Sequence, residues 1–452
     1  MQHSIESTQN FSKKNGVVSS STILLLAFAS TFFSRLLDTA GAPSVINFVH
    51  FGMVPVALAV CLTQNKKISR LQRRTVAALL AGLWLFLIVV VASTLLNQSG
   101  IINGILSFLM LSEPYLFLLA IVAIPIGQKN FKRLEKWILI FTVINLLLAY
   151  IQWPLLQTGV ISTDGMGHSD AVQGVFYISG AGNYVSVSIS LMFGMYFLSK
   201  KELPLFIRYG LLIGGFGQII ISDSKQVLMG GLFAWVLLAL TNLKAPVKAI
   251  KYLIAIALFL YVFVWAVQNL DALSAYTSWA RPHLYGPNGK FVQLKTAGFR
   301  FIPDQFTSPF NWFLGLGPGH TISRLGGWML RKYWTLLEPL GATQNPVSRE
   351  IWDYWMDTGL NSTFFSPLYT WSGIWGDLGL LGAGVYAYMG YVVWSQLCHK
   401  PLSQFLLLNV LILGFVYTQV EEPGFMLAVA FVIGLQWHQT RLERAAKSSR
   451  VS

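Results

Sequence analysis

Long apolar runs alternate with short polar connections along most of the chain. Runs long enough to cross a bilayer, about 20 residues each, lie near 17–37, 44–63, 75–95, 103–126, 137–156, 176–199, 206–222, 224–241, 252–270, 378–397, 403–420 and 423–438. The pattern predicts an all-α polytopic membrane protein of about twelve transmembrane helices. One long interruption, 271–377, breaks it. The chain therefore divides into a nine-helix region (1–270), the interrupting segment (271–377) and a three-helix region (378–452), all parts of one integrated unit.

Composition agrees. Of the 452 residues, 54% are hydrophobic and 11% charged, whereas soluble domains carry roughly a quarter charged residues. The net charge of +14 would suit nucleic acid if it were clustered on one face, but it is not. Most Lys and Arg sit in alternate connections, "NKKISRLQRR", "QKNFKRLEK", "SKKELPLFIR", "NLKAPVKAIK" and "CHKP", and in the two tails. The intervening connections "NQSG", 157–175 and "EEPG" hold none. This is the positive-inside pattern, with both termini cytoplasmic and 271–377 outside. The charge is a topology signal and calls for no nucleic acid. The start, "MQHSIESTQNFSKKNG", is polar, and no small-residue cleavage site follows the first apolar run, so no removable signal peptide is expected. Cys61 and Cys398 lie near span ends and form no disulfide or metal framework.

The outer segment carries Arg281, Lys290, Lys295, Arg300, Arg324, Arg331, Lys332 and Arg349, with tryptophans among them. The positive-inside rule does not put cations here. They are solvated loop charges or anion ligands, and arginine matches phosphate with paired hydrogen bonds. The tryptophans stack on sugar rings or anchor the segment at the interface. Within "FNWFLGLGPGHTIS", Gly315, Gly317 and Gly319 permit a tight turn that can bring backbone amides to an anion. His320 follows.

Ionisable groups inside spans are functional candidates because lipid makes them costly. Glu113 in "MLSEPYLF" sits deep, and Arg35 and Asp38 are expected to pair at the outer end of span one. Asp223 and Lys225 share the tight connection "ISDSKQV", as a structural pair or a headgroup site. Asn183 in "YISGAGNYVSVSIS" is either a helix-packing amide or a ligand. His168, His283 and His320 lack metal-ligand spacing, and there is no nucleophile elbow, P-loop or outward Asp-x-Asp pair. An enzyme of this kind would work by positioning and charge stabilisation, with neither cofactor nor metal.

Four local patterns around the long outer segment resemble the O-antigen ligase/polymerase superfamily of bacterial inner-membrane enzymes. "QGVFYISGAGNYVSVSI" is similar to the family's Phe…Asn segment and places its amide on Asn183. "ISDSKQVLMGGL" is similar to a Ser-Arg pattern, with Lys225 for the arginine and Asp223 beside it. "GFRFIPDQFTSPFNWFLGLGPG" resembles Gly-Arg followed by Gly-x-Gly-x-Gly and singles out Arg300. "WGDLGLLG" resembles Glu-x-Gly-x-x-Gly, with Asp377 for the glutamate.

The resemblance implies a GT-C-type membrane glycosyltransferase. It would polymerise undecaprenyl-pyrophosphate-linked oligosaccharide at the periplasmic face, in membrane lipid and alongside chain-length regulator or export proteins. Arg300 and Lys225 would neutralise the departing diphosphate, helped by Arg281 and Arg324. His320, Asp304 and Asp377 stand as alternatives for the general base. Ligases of the family carry a His-Asn pair ahead of the acidic motif. Here that place reads "SPLYTWSGIWGD", with Leu368 and Tyr369, which turns the resemblance from ligase toward polymerase. Two rivals remain at this point: a ligase moving finished glycan to a lipid or protein, and a transporter or flippase for an amphiphile, for which Glu113 is the main argument.

Overall fold

The computed structural model describes residues 19–63, 70–163, 165–177, 181–241, 246–269, 282–360 and 362–451. Among these the regular structure is helical, with no strand. The principal helices of the first region are α1 (Ser20–Phe32), α2 (His50–Thr63), α3 (Arg70–Leu96), α4 (Ile101–Ala123), α5 (Gln128–Gln157), α6 (Gly182–Leu198), α7 (Leu205–Ile221), α8 (Lys225–Thr241) and α9 (Pro246–Asn269). The segment between the membrane regions holds α10 (Lys290–Lys295), α11 (Ala297–Asp304) and α12 (Pro346–Asp357). After it come α13 (Thr370–Gln396), α14 (Pro401–Leu413) and α15 (Pro423–Val451). Start signals are local: the Ser19 hydroxyl accepts the Thr22 amide, the Asn345 side chain accepts that of Val347, and Pro346 and Pro401 open their helices.

Helices α3, α4, α5 and α13 are long and apolar enough to cross a membrane, and seven shorter apolar helical stretches accompany them. Helix α4 is the axis. Of its apolar window 78% is buried, against 39–44% for the other three. It packs on α2, α3 and α15. The peripheral helices turn apolar side chains outward, among them Trp84, Ile88 and Leu95 of α3 and Leu147 and Ile151 of α5. Apolar surface on this scale needs a hydrocarbon solvent. Inside, Phe28, Phe32, Phe117, Phe141, Phe193 and Phe431 form a contiguous aromatic core.

The two ends of the bundle differ. At one, Lys132 and Lys136 of α5, Lys200 beyond α6 and Glu443 of α15 line a common hollow. Lys400, ahead of α14, pairs with Glu443 at 3.1 Å. At the other, the loop end, Ser93 of α3, Asn97 just beyond it and the first half of α13 grip the glycine-rich loop. The basic connections thus collect away from that loop.

Two apolar runs are interrupted in a way periodicity does not reveal. After α1 the chain bends into a six-residue helix, Ser34–Thr39, and then a 3-10 turn, Ser44–Phe48, before α2 begins at His50. At 13 and 14 residues, α1 and α2 are about 20 Å long, short of the ~30 Å hydrocarbon core. Most of their connection is exposed, but it turns Arg35 and Asn47, and the His50 that follows it, into the protein, all three buried. Helix α13 begins at Thr370, inside the expected outer segment, and breaks at Gly379 (φ 66°). A Cβ there would lie 2.3 Å from the Phe313 carbonyl carbon. The opening half-helix, including Asp377, is buried in protein.

Candidate functional site

The glycine-rich loop is built around a carboxylate of the protein itself. Gly315, Gly317 and Gly319 all have positive φ, which an L-side chain adopts only at a cost. The space is closed as well: a Cβ on Gly315 would come within 2.4 Å of Asp377 backbone, and one on Gly317 within 2.8 Å of Ser99. The loop's amides are spoken for. Leu316 and Gly317 donate to the carbonyls of Gly376 and Asp377, and His320 donates back to that of Gly317. The Asp377 carboxylate accepts from the Gly319 and Thr321 amides and from the Thr321 and Ser323 hydroxyls, at 2.6–2.9 Å. An amide cradle does form, and Asp377 fills it.

This corrects three expectations. The glycines do not offer amides to an external anion. Asp377 is 2% exposed, with both oxygens engaged, so it anchors the loop and faces no substrate. His320 donates from Nδ1 to the Leu316 carbonyl at 2.9 Å, while its Nε2 meets the Thr343 hydroxyl at 2.8 Å. That hydroxyl accepts the Gly100 amide and therefore gives its own proton to Nε2, the neutral tautomer. Burial lowers the imidazole pKa, which fits. Both nitrogens are committed, so His320 is a strut.

The cations picked out by motif do not converge. Arg300 lies exposed on α11, donating to the Gln293 carbonyl at 2.7 Å and leaning on Tyr354 and Phe301. Asp304 is exposed at the end of the same helix. Lys225, at the start of α8, pairs with Asp223 at 2.6 Å. Asn183 holds this corner together by donating to Asp170 and to the Ser222 carbonyl, both at 3.2 Å. Asp170 is pushed upward in pKa, first by burial and then by Asp223. Arg300 sits between α10 and α12, whereas Lys225 sits at the Asp170–Asn183–Asp223 corner. Arg281 lies outside the described residues.

Arg324 is placed differently. It is 7% exposed, ion-paired to Glu422, and its guanidinium lies 4.9 Å from the centre of the Trp328 ring. Its backbone amide donates to Glu421, whose carboxyl burial pushes up to about 8. Across a narrow pocket stands Arg35, also 7% exposed and 5.1 Å from the same ring. The expected pairing of Arg35 with Asp38 does not form. Asp38 instead accepts from Asn47 and Ser44, and Arg35 donates to the Tyr333 hydroxyl at 2.9 Å. Among the described residues no carboxylate lies within ion-pair distance of Arg35. A buried guanidinium with only a neutral partner is costly unless an anion completes it.

His50 opens onto the same pocket. Its Nδ1 is 2.8 Å from Glu113 Oε1, and the pair is 5% and 1% exposed. Glu113, isolated in the sequence, thus has a partner from another helix. Sequence reading passed over His50, a histidine in an apolar run with no motif around it. The available signal was that it opens a short helix beside a span carrying a deep glutamate.

No family model matches the chain, and no curated protein matches it. What the site can do therefore rests on its own chemistry: two buried guanidinium groups, an indole and a carboxylate-supported imidazole around one opening.

Proposed function

We propose that the protein is a bacterial inner-membrane glycosyltransferase of about twelve spans. It joins undecaprenyl-pyrophosphate-linked oligosaccharide units into a polysaccharide at the periplasmic face. The single observation carrying this reading is the pair of buried arginines, Arg35 and Arg324, around one pocket, with Arg35 lacking a carboxylate. Paired guanidinium groups suit a diphosphate, and the surrounding apolar helices suit its prenyl chain. The indole of Trp328 suits the first sugar.

In this reading a hydroxyl of one lipid-linked unit attacks the anomeric carbon of another. The carbon–oxygen bond to the diphosphate breaks, and the arginines neutralise the charge that grows on it. The reaction calls for no metal. Lysine-rich connections gathered at the opposite end support the cytoplasmic assignment of that side. The resemblance to a GT-C-type polymerase keeps its order of motifs but loses Arg300 and Lys225 as a joint site.

A second reading draws on the His50–Glu113 pair deep beside α4. Together with two arginines it would also suit proton-coupled movement of an amphiphilic anion. Purified protein in detergent, given synthetic undecaprenyl-diphosphate-linked oligosaccharide and no gradient, separates the two. Lengthened glycan and released undecaprenyl diphosphate support the enzyme. Unchanged substrate, with gradient-dependent uptake in vesicles, replaces it with a transporter. Transfer only to a non-diphosphate acceptor makes it a ligase.

A further inference from the structure

We infer that His50 is the general base of this site and that Glu113 positions it; the inference rests on the glycosyltransferase reading above. The two glycine-loop candidates for a base, Asp377 and His320, are consumed internally. His50 is the titratable group that lines the arginine pocket and keeps a nitrogen uncommitted. Glu113 Oε1 accepts from Nδ1–H, which fixes the tautomer and leaves the Nε2 lone pair without a partner among the described residues. A carboxylate behind one imidazole nitrogen, with the other directed to a reaction pocket, is the arrangement by which enzymes hold histidine ready to take a proton.

The remaining neighbours agree. Arg35 comes from the bend after α1, Tyr333 and Arg324 from the segment between α9 and α13, and Glu422 from the residue before α15. Glu422 is bound to Arg324 and does not compete for the histidine. Among the described residues the second oxygen of Glu113 has no hydrogen-bond partner, and the hydrogen bond of its carboxylate goes to the imidazole.

The step balances as follows. His50 Nε2 takes the proton of the acceptor hydroxyl as its oxygen bonds to the donor's anomeric carbon. The electron pair of the breaking carbon–oxygen bond goes to the diphosphate, held by Arg35 and Arg324. The imidazolium, stabilised by Glu113, then releases its proton through the pocket mouth.

The test uses full-length protein in nanodiscs with synthetic undecaprenyl-diphosphate-linked oligosaccharide, and inorganic pyrophosphate as the binding probe. His50→Gln is expected to lower kcat by about a hundredfold or more, with KM and pyrophosphate affinity unchanged. Retained kcat in that variant overturns the inference and leaves the proposed function standing. No turnover by the unaltered protein removes both. Should His50→Gln fail to accumulate, Glu113→Gln decides. It is expected to lower kcat by about tenfold or more with KM and pyrophosphate affinity unchanged, and Glu113→Asp to restore part of the loss. Retained kcat in Glu113→Gln, or a loss of yield with kcat per folded protein unchanged, overturns the assignment.

Discussion

Arg35 donates from Nη1 to the hydroxyl of Tyr333 at 2.9 Å, tying the bend after α1 to the segment between the membrane regions. That bond satisfies the guanidinium's geometry and leaves its charge uncompensated. Arg35→Met is therefore expected to leave the thermal unfolding midpoint unchanged or raise it, since an unpaired buried cation is lost. Pyrophosphate binding should weaken by about tenfold or more, as for loss of a charged hydrogen bond. Arg324→Met should instead lower the midpoint, because it strands Glu422. Calorimetric titration and thermal unfolding in detergent check both, and equal destabilisation by the two variants would contradict the anion-site reading.

Gly315 and Gly341 both have positive φ, 68° and 86°, yet they predict different outcomes. A methyl on Gly341 meets open space, while one on Gly315 strikes the Asp377 backbone. Gly341→Ala should cost about 1–2 kcal/mol, the backbone penalty alone. Gly315→Ala should cost more than about 3 kcal/mol and deplete the folded protein. Denaturant unfolding of the two variants gives the comparison.

Lys295 of α10 donates to the Ser366 and Val416 carbonyls at 2.6 and 2.8 Å, stapling the segment to the chain beyond α14. Burial pushes its amine down to about 7, whereas an unfolded lysine titrates near ~10.4. Between these values the unfolded chain binds the proton more tightly, so stability rises with pH across that window. Thermal midpoints taken from pH 7 to 10 should climb in the unaltered protein and flatten in Lys295→Met.

Arg300 is exposed, and among the described residues its hydrogen bonds go to Gln293 of α10 and Tyr354 of α12. Arg300→Ala is expected to keep glycan chain length and turnover within about twofold, the range of surface changes worth under ~0.5 kcal/mol. Loss of long chains in that variant, with normal insertion, would return the site to the motif arginine.

The helices were legible because apolar runs of spanning length have few alternatives. Each of the twelve runs contains one, although α1, α2 and α14, at 13 or 14 residues, stop well short of full length. The tight turn at Gly315–Gly319 was also legible, as was the closeness of Asp223 to Lys225. The direction of the glycine cradle was not. Motif order put an acid and an amide-rich turn in the same region, but only packing shows that they satisfy each other. Arg35, His50 and Glu113 come from three helices far apart in the chain, and no spacing rule links them. Their meeting depends on the bend after α1, which turns Arg35 and His50 inward between two runs that hydropathy reads as plain spans.

The latch between Asp377 and the glycine turn has a consequence for biogenesis. When a ribosome has delivered Gly319, the side chain that will complete its turn is still 58 residues from synthesis. The turn must wait with its donors in water until α13 is made and Asp377 can be drawn against it. Truncation before that aspartate would leave the turn unclosed, a ready substrate for quality-control proteases.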